Sequence, residues 1–216
     1  MTEAGTARVS WYRAAAGPGE RLVLALGHGA GGGIAARDLR AIARELPADG
    51  VTVALVEQPW RVAGKKLAPA PATLDLGWRG LWPRLAERGV PVVAGGRSAG
   101  ARVACRTGRE LGAAGVLALA FPLHPPGRPE KSRAAELLSA GLPTLVVQGG
   151  ADPFGKPAEF PAVPPGTTDA EGRYELVEVP AADHGFAVPK RAAITGIPAV
   201  TVITDAVRAW LAARWE

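Results

Sequence analysis

Short apolar runs recur along this chain at Leu22-Val23-Leu24-Ala25-Leu26, Val51-Thr52-Val53-Ala54-Leu55-Val56, Pro91-Val92-Val93, Val116-Leu117-Ala118-Leu119-Ala120, Thr144-Leu145-Val146-Val147 and Tyr174-Glu175-Leu176-Val177-Glu178-Val179. Most are apolar without alternation, the pattern of strands buried on both faces rather than one. Segments with helical spacing lie between them, such as Leu39 to Leu46 and Ala134 to Leu138. Strands of this kind alternating with helices predict a mostly parallel sheet with helices on both faces. The more polar stretch Arg8 to Arg13 is expected as an antiparallel edge strand, and the stretch from about Val200 to Trp215 as a last helix packed on the sheet.

With 216 residues the chain is long enough to bury a large core as one domain, and no repeat or low-complexity linker divides residues 1–216. No apolar run reaches the roughly 18 residues that span a bilayer. Met1-Thr2-Glu3-Ala4-Gly5 lacks a basic start leading into an apolar block. A cytoplasmic protein without a membrane partner is expected. Cys105 is the only cysteine, which excludes an intramolecular disulfide and a multi-cysteine metal site, and its position suits core packing. The net charge of +5 is spread along the helices, with Lys65-Lys66 the only paired lysines and no basic run interleaved with aromatics, so no nucleic-acid partner is expected.

Gly96-Arg97-Ser98-Ala99-Gly100 stands between the run at Val92-Val93 and a segment of helical character. A G-x-S-x-G between a strand and a helix reads as a nucleophile elbow, in which the glycines let the backbone turn sharply and hold the serine clear of its neighbours. A serine nucleophile needs a base to take its proton and a carboxylate to orient that base. Among the three histidines, His184 follows the last strand, at the sheet edge where a base belongs. Asp152 follows the strand Thr144 to Val147 and can reach an imidazole from the next loop. Asp183 adjoins His184, but neighbouring residues rarely aim their side chains into one hydrogen bond, and Asp169 lies away from a strand end. The order Ser98, Asp152, His184 is that of an α/β-hydrolase rather than of other triad folds.

Acyl transfer also needs donors for the oxyanion. One is the backbone N–H of Ala99. The other is expected from Gly27-His28-Gly29-Ala30-Gly31-Gly32-Gly33, from Ala30 or alternatively Gly31. That loop also fits a rival reading, because Gly27-x-Gly29-x-x-Gly32 matches a dinucleotide fingerprint and Glu57 ends the next strand where an acid could hold a ribose. An NAD-linked oxidoreductase would leave Ser98, Asp152 and His184 without a role, and Gly31-Gly32-Gly33 is a poor opening for a helix.

Three proline-rich stretches, Pro59 to Pro71, Phe121 to Pro129 and Pro153 to Pro165, each follow a strand and are expected as pocket walls. Trp60, Phe121, Phe154 and Phe186 are expected to line an apolar acyl pocket. His28 and His124 are expected beside them, with His124 and Arg128 near a polar group of the substrate.

His28-Gly29-Ala30-Gly31-Gly32, Gly95 through Ala104, Pro122-Leu123-His124-Pro125-Pro126-Gly127, Gln148 through Gly155 and Asp183-His184-Gly185-Phe186 together resemble a family of small α/β-hydrolases related to dienelactone hydrolases. Relatives include a testis-expressed protein and a subunit of a histone-acetyltransferase complex. The chain departs from the family pattern at Ala99 and Ala101. The resemblance implies an α/β-hydrolase fold with a minimal lid or none, and places nucleophile, acid and base on Ser98, Asp152 and His184. It implies a serine hydrolase acting on a small ester or thioester, in need of no metal or organic cofactor. The alternative from another class is a non-catalytic interaction module with a protein partner.

Overall fold

The computed structural model describes residues 1–14, 19–190 and 197–215. Its frame is a seven-stranded sheet of β1 (Arg8–Tyr12), β2 (Leu22–Gly27), β3 (Val51–Glu57), β4 (Val92–Arg97), β5 (Gly115–Leu119), β6 (Thr144–Gly149) and β7 (Glu175–Val179). The spatial order is β1-β3-β2-β4-β5-β6-β7, with only β1 antiparallel to its neighbour. The central strands β2, β4, β5 and β6 are buried almost throughout. This is why they read as apolar runs: every residue meets a helix layer, whichever face it points to.

Among the described residues, six helices are packed around the sheet: α1 (Arg37–Glu45), α2 (Pro59–Val62), α3 (Pro71–Ala86), α4 (Ala99–Thr107), α5 (Ala134–Leu138) and α6 (Ala199–Ala212). One core layer joins alternate sheet residues such as Val23, Ala25 and Val146 to Trp78, Trp82 and Leu85 of α3 and to Val103 of α4. The opposite layer joins Leu24, Leu26, Leu117 and Val147 to Leu39 and Ile42 of α1 and to Ile203, Val207 and Trp210 of α6. Each fully buried aliphatic or aromatic side chain contributes about 1.5–3 kcal/mol over its exposed state. Cys105 lies in the first layer, fully buried, and that burial pushes its thiol up to about 12, so it is packing rather than chemistry.

Strand β4 extends through Gly95, Gly96 and Arg97, beyond the apolar run that marks it in the sequence. Gly95 stays small because a Cβ there would stand 2.8 Å from the Leu117 carbonyl. Helix α3 starts on Pro71, whose missing N–H costs nothing at that position. Among the described residues, the connections from β5 to β7 over the carboxyl edge contain only α5 and isolated 3-10 turns. No helix of the described residues is long and apolar enough to cross a membrane.

Candidate active site

Ser98 joins β4 to α4 with φ 54° and ψ −111°, a conformation that a residue with a Cβ adopts only where its surroundings enforce it. The enforcement is visible on both sides. A Cβ on Gly96 would stand 2.5 Å from the Gly27 carbonyl oxygen, and one on Gly100 would stand 2.6 Å from it. The turn therefore closes against β2 only because both flanking residues lack side chains. The Ser98 N–H donates to the Leu119 carbonyl at 2.9 Å, fixing the turn to β5 as well.

The Ser98 hydroxyl donates to His184 Nε2 at 3.0 Å, and His184 Nδ1–H donates to Asp152 Oδ2 at 2.8 Å. Asp152 is fully buried, a costly position for a carboxylate unless donors surround it. It also accepts the Phe154 N–H on Oδ1 at 2.8 Å and Gln148 Nε2–H on Oδ2 at 2.9 Å. These donors fix its orientation, and the carboxylate in turn selects the His184 tautomer that leaves Nε2 free to accept a proton. Asp183 plays a different part. Its Oδ1 accepts the N–H groups of Gly185 and Ala187 at 2.7 and 2.9 Å, shaping the turn that presents His184.

Arg97 supports the same turn. Its Nη2–H donates to the His184 carbonyl at 2.7 Å, while its Nε lies 3.5 Å from Asp38 Oδ2 on α1. Burial pushes the Asp38 carboxyl above its ordinary range, against the opposing pull of Arg97. The elbow's own second residue thus holds the base loop in place.

The loop after β2 passes directly beside the nucleophile, since a Cβ on Gly29 would lie 3.3 Å from Ser98 Cβ. Among the described residues, the N–H groups of Ala30 and Ala99 have no protein acceptor. Ala99 also opens α4, whose N-terminal end favours negative charge. The arrangement can accept a serine proton at Nε2 and hold an anion beside Ser98.

His28 is nearly inaccessible and its two ring nitrogens face inward. Nδ1–H donates to the Gly29 carbonyl at 2.9 Å and Nε2 accepts the Gln58 N–H at 3.1 Å. Burial lowers its pKa, so the ring stays neutral. His28 and Trp60, with ring centres 5.5 Å apart, border a small cavity beside Ala30 and Ala99. Phe154 packs against the base, its ring centre 4.2 Å from that of His184.

Three expected pocket residues are placed elsewhere. Phe121 is fully buried, edge-on to Phe160 in one core layer. Phe186, at φ 56°, turns into the opposite layer. His124 is withdrawn from any ligand: Nδ1–H donates to the Pro125 carbonyl and Nε2–H to Glu159 Oε2, both at 2.9 Å. The carbonyl and the carboxylate raise its pKa, and the pair clasps the loops after β5 and β6. The dinucleotide reading also fails on geometry. Helix α1 begins at Arg37, five positions past Gly32, so no helix N-terminus meets the glycines, and Glu57 is paired with Arg8 at 3.1 Å.

Arg97, Asp38, Gln148 and Glu159 carry no signal in the sequence that marks them as part of the site. Arg97 occupies a variable position inside the elbow motif, and Gln148 directly precedes the glycines that lead to Asp152; neither has a spacing that announces a partner far along the chain.

A mostly parallel α/β sheet with a serine at the elbow of β4 and α4 defines the class. Several solved structures share the architecture. XC6422 from Xanthomonas campestris, described as an a/b serine hydrolase without lid, is 20% identical and matches with a TM-score of 0.66 over 97% of this chain and 93% of its own. A dienelactone hydrolase from Anabaena variabilis is 19% identical, with a TM-score of 0.69 over 97% of this chain and 93% of its own. Est1E from Butyrivibrio proteoclasticus, solved with ferulic acid bound, is 13% identical, with a TM-score of 0.70 over 96% and 95%. No curated protein shows significant similarity to the sequence. Residues 20–212 match the family described as alpha/beta hydrolase domain, and the chain belongs to that family.

Proposed function

We propose that the chain is a serine hydrolase that cleaves a small carboxylic ester or thioester through an acyl-enzyme on Ser98. The observation that carries this reading is the unbroken hydrogen-bonded chain from Ser98 Oγ through His184 to the buried Asp152. As Oγ attacks the substrate carbonyl carbon, its proton passes to His184 Nε2, and the imidazolium so formed is held by Asp152. The carbonyl oxygen becomes an oxyanion facing the N–H groups of Ala99 and Ala30. On collapse, the bond to the alkoxide or thiolate breaks and that group takes the proton from Nε2. Water then repeats the sequence in reverse roles, giving a carboxylic acid and restoring the serine.

Both steps run on the side chains and backbone N–H groups named together with water, and the half-buried Phe154 ring beside His184 shields the proton-transfer path from bulk solvent. The test is hydrolysis of p-nitrophenyl acetate and of a short thioester by the wild type and by Ser98→Ala. Turnover of at least one substrate that falls to background in the variant is the expected result. Undiminished turnover in folded Ser98→Ala would overturn the reading.

A further inference from the structure

A tetrahedral carbon on Ser98 has few directions open to its substituents; this deduction rests on the nucleophile reading above. The oxyanion faces Ala30 and Ala99. The leaving atom must face His184 Nε2, which returns the proton to it. The carbon chain of the acyl group is then directed away from His184.

A cavity beside the oxyanion donors is bordered by Ala30, Ala99 and Gly100 and closed by Trp60, Leu74 and Val103. None of its lining residues comes from the loops that carry Asp152 and His184. Only about 10 Å³ of it admits the centre of a water-sized sphere, which is room for one water molecule or one methyl group. Most of its walls are fixed, the exception being the half-buried Ala68 on the loop before α3. Trp60, Leu74 and Val103 are between 1% and 8% exposed and belong to the core layer under α3 and α4, and Gly100 is pressed against the Gly27 carbonyl. The lining is mostly apolar: His28 makes both its ring hydrogen bonds to the backbone, while Gln58 Oε1 is buried without a hydrogen-bond partner.

We propose that this cavity is the acyl site and that it limits the substrate to acetyl-sized acyl groups, carried as an ester or thioester. Specificity then falls on the acyl side, while the open edge by Phe154 leaves the alcohol or thiol half little restricted. Each added methylene must displace packed core side chains, and in an enzyme pocket one misplaced methylene commonly costs about tenfold or more in kcat/KM.

The experiment compares p-nitrophenyl acetate, butyrate and octanoate on the wild type, on Trp60→Ala and on Leu74→Ala, with thermal melts to establish folding and a small fluorophosphonate to titrate the reactive serine. The expected wild-type kcat/KM is at least about tenfold lower for butyrate than for acetate, and lower again for octanoate. At least one folded variant narrows that gap. A labelled wild type that cleaves octanoate as well as acetate overturns the acyl-site assignment and leaves the nucleophile reading standing. Folded variants that both keep the wild-type gap overturn it equally. A folded wild type that takes no label overturns the nucleophile reading, and this assignment with it.

Discussion

Gly100 faces the carbonyl oxygen of Gly27 so closely that a Cβ on Gly100 would stand 2.6 Å from it. The contact brings the first turn of α4 and the end of β2 together, and with them the two backbone segments that flank Ser98. Gly100→Ala is therefore expected to cost about 1–3 kcal/mol and to lower activity, since the backbone that must move is the one that positions the nucleophile. Gly31→Ala, where an added Cβ meets nothing within 4 Å, is expected to change stability by less than about 0.5 kcal/mol. Thermal melts of both variants check the contrast; equal losses would contradict it.

Asp152→Asn is expected to leave the fold intact and to lower kcat by about four orders of magnitude. An amide in place of the carboxylate presents a donor to His184 Nδ1 and favours the tautomer in which Nε2 carries the proton and cannot accept another. Steady-state ester hydrolysis with circular dichroism measures both parts. A loss of less than tenfold would show that Asp152 does not orient His184.

Arg97 spans two partners that a lysine cannot reach at once, the His184 carbonyl at 2.7 Å and Asp38 at 3.5 Å. Arg97→Lys is expected to loosen the base loop and to reduce kcat by about a hundredfold, the scale of a misplaced catalytic group. KM is expected to change little, because Arg97 lines no part of the acyl cavity. A change confined to KM would contradict the positioning role.

The His124–Glu159 clasp has a defined pH window. The Pro125 carbonyl and then Glu159 raise the His124 pKa, so its contribution to stability is fully present below about pH 6.5, the unfolded value, and is lost as the pH rises through the folded value. Glu159 is lowered by the Lys156 N–H and then by His124, so its contribution is lost only as the pH falls through that lower value. Glu159→Gln keeps an acceptor for Lys156 and removes the charge. It is expected to lower Tm at pH 6 and to have a smaller effect at pH 9; equal shifts at the two pH values would contradict the assignment.

Much of the sheet was legible because strands buried on both faces leave uninterrupted apolar runs. Arg8–Tyr12 was legible as the antiparallel edge strand for the opposite reason, its polarity. Strand ends were less so. The apolar run stops at Val93, yet Gly95 and Gly96 continue β4, and the close approach of Leu117 and Gly27 requires both to be glycine. The Ser98, His184 and Asp152 placements follow from strand order, which sequence preserves. Phe121, His124 and Phe186 stand at strand ends as well, but which way a loop side chain turns depends on contacts distant in sequence, such as Phe160 for Phe121 and Glu159 for His124. Arg97 was hidden for the same reason, since its partners are 59 positions earlier at Asp38 and 87 positions later at His184.

The most direct measurement is fluorophosphonate labelling with the modified residue mapped by mass spectrometry, on the wild type and on Ser98→Ala and His184→Ala. The account predicts a single label on Ser98 in the wild type, none in Ser98→Ala, and labelling of His184→Ala slower by about a thousandfold or more, because the hydroxyl is then left without its base. A folded wild type that takes no label, or one labelled equally fast without His184, would contradict it.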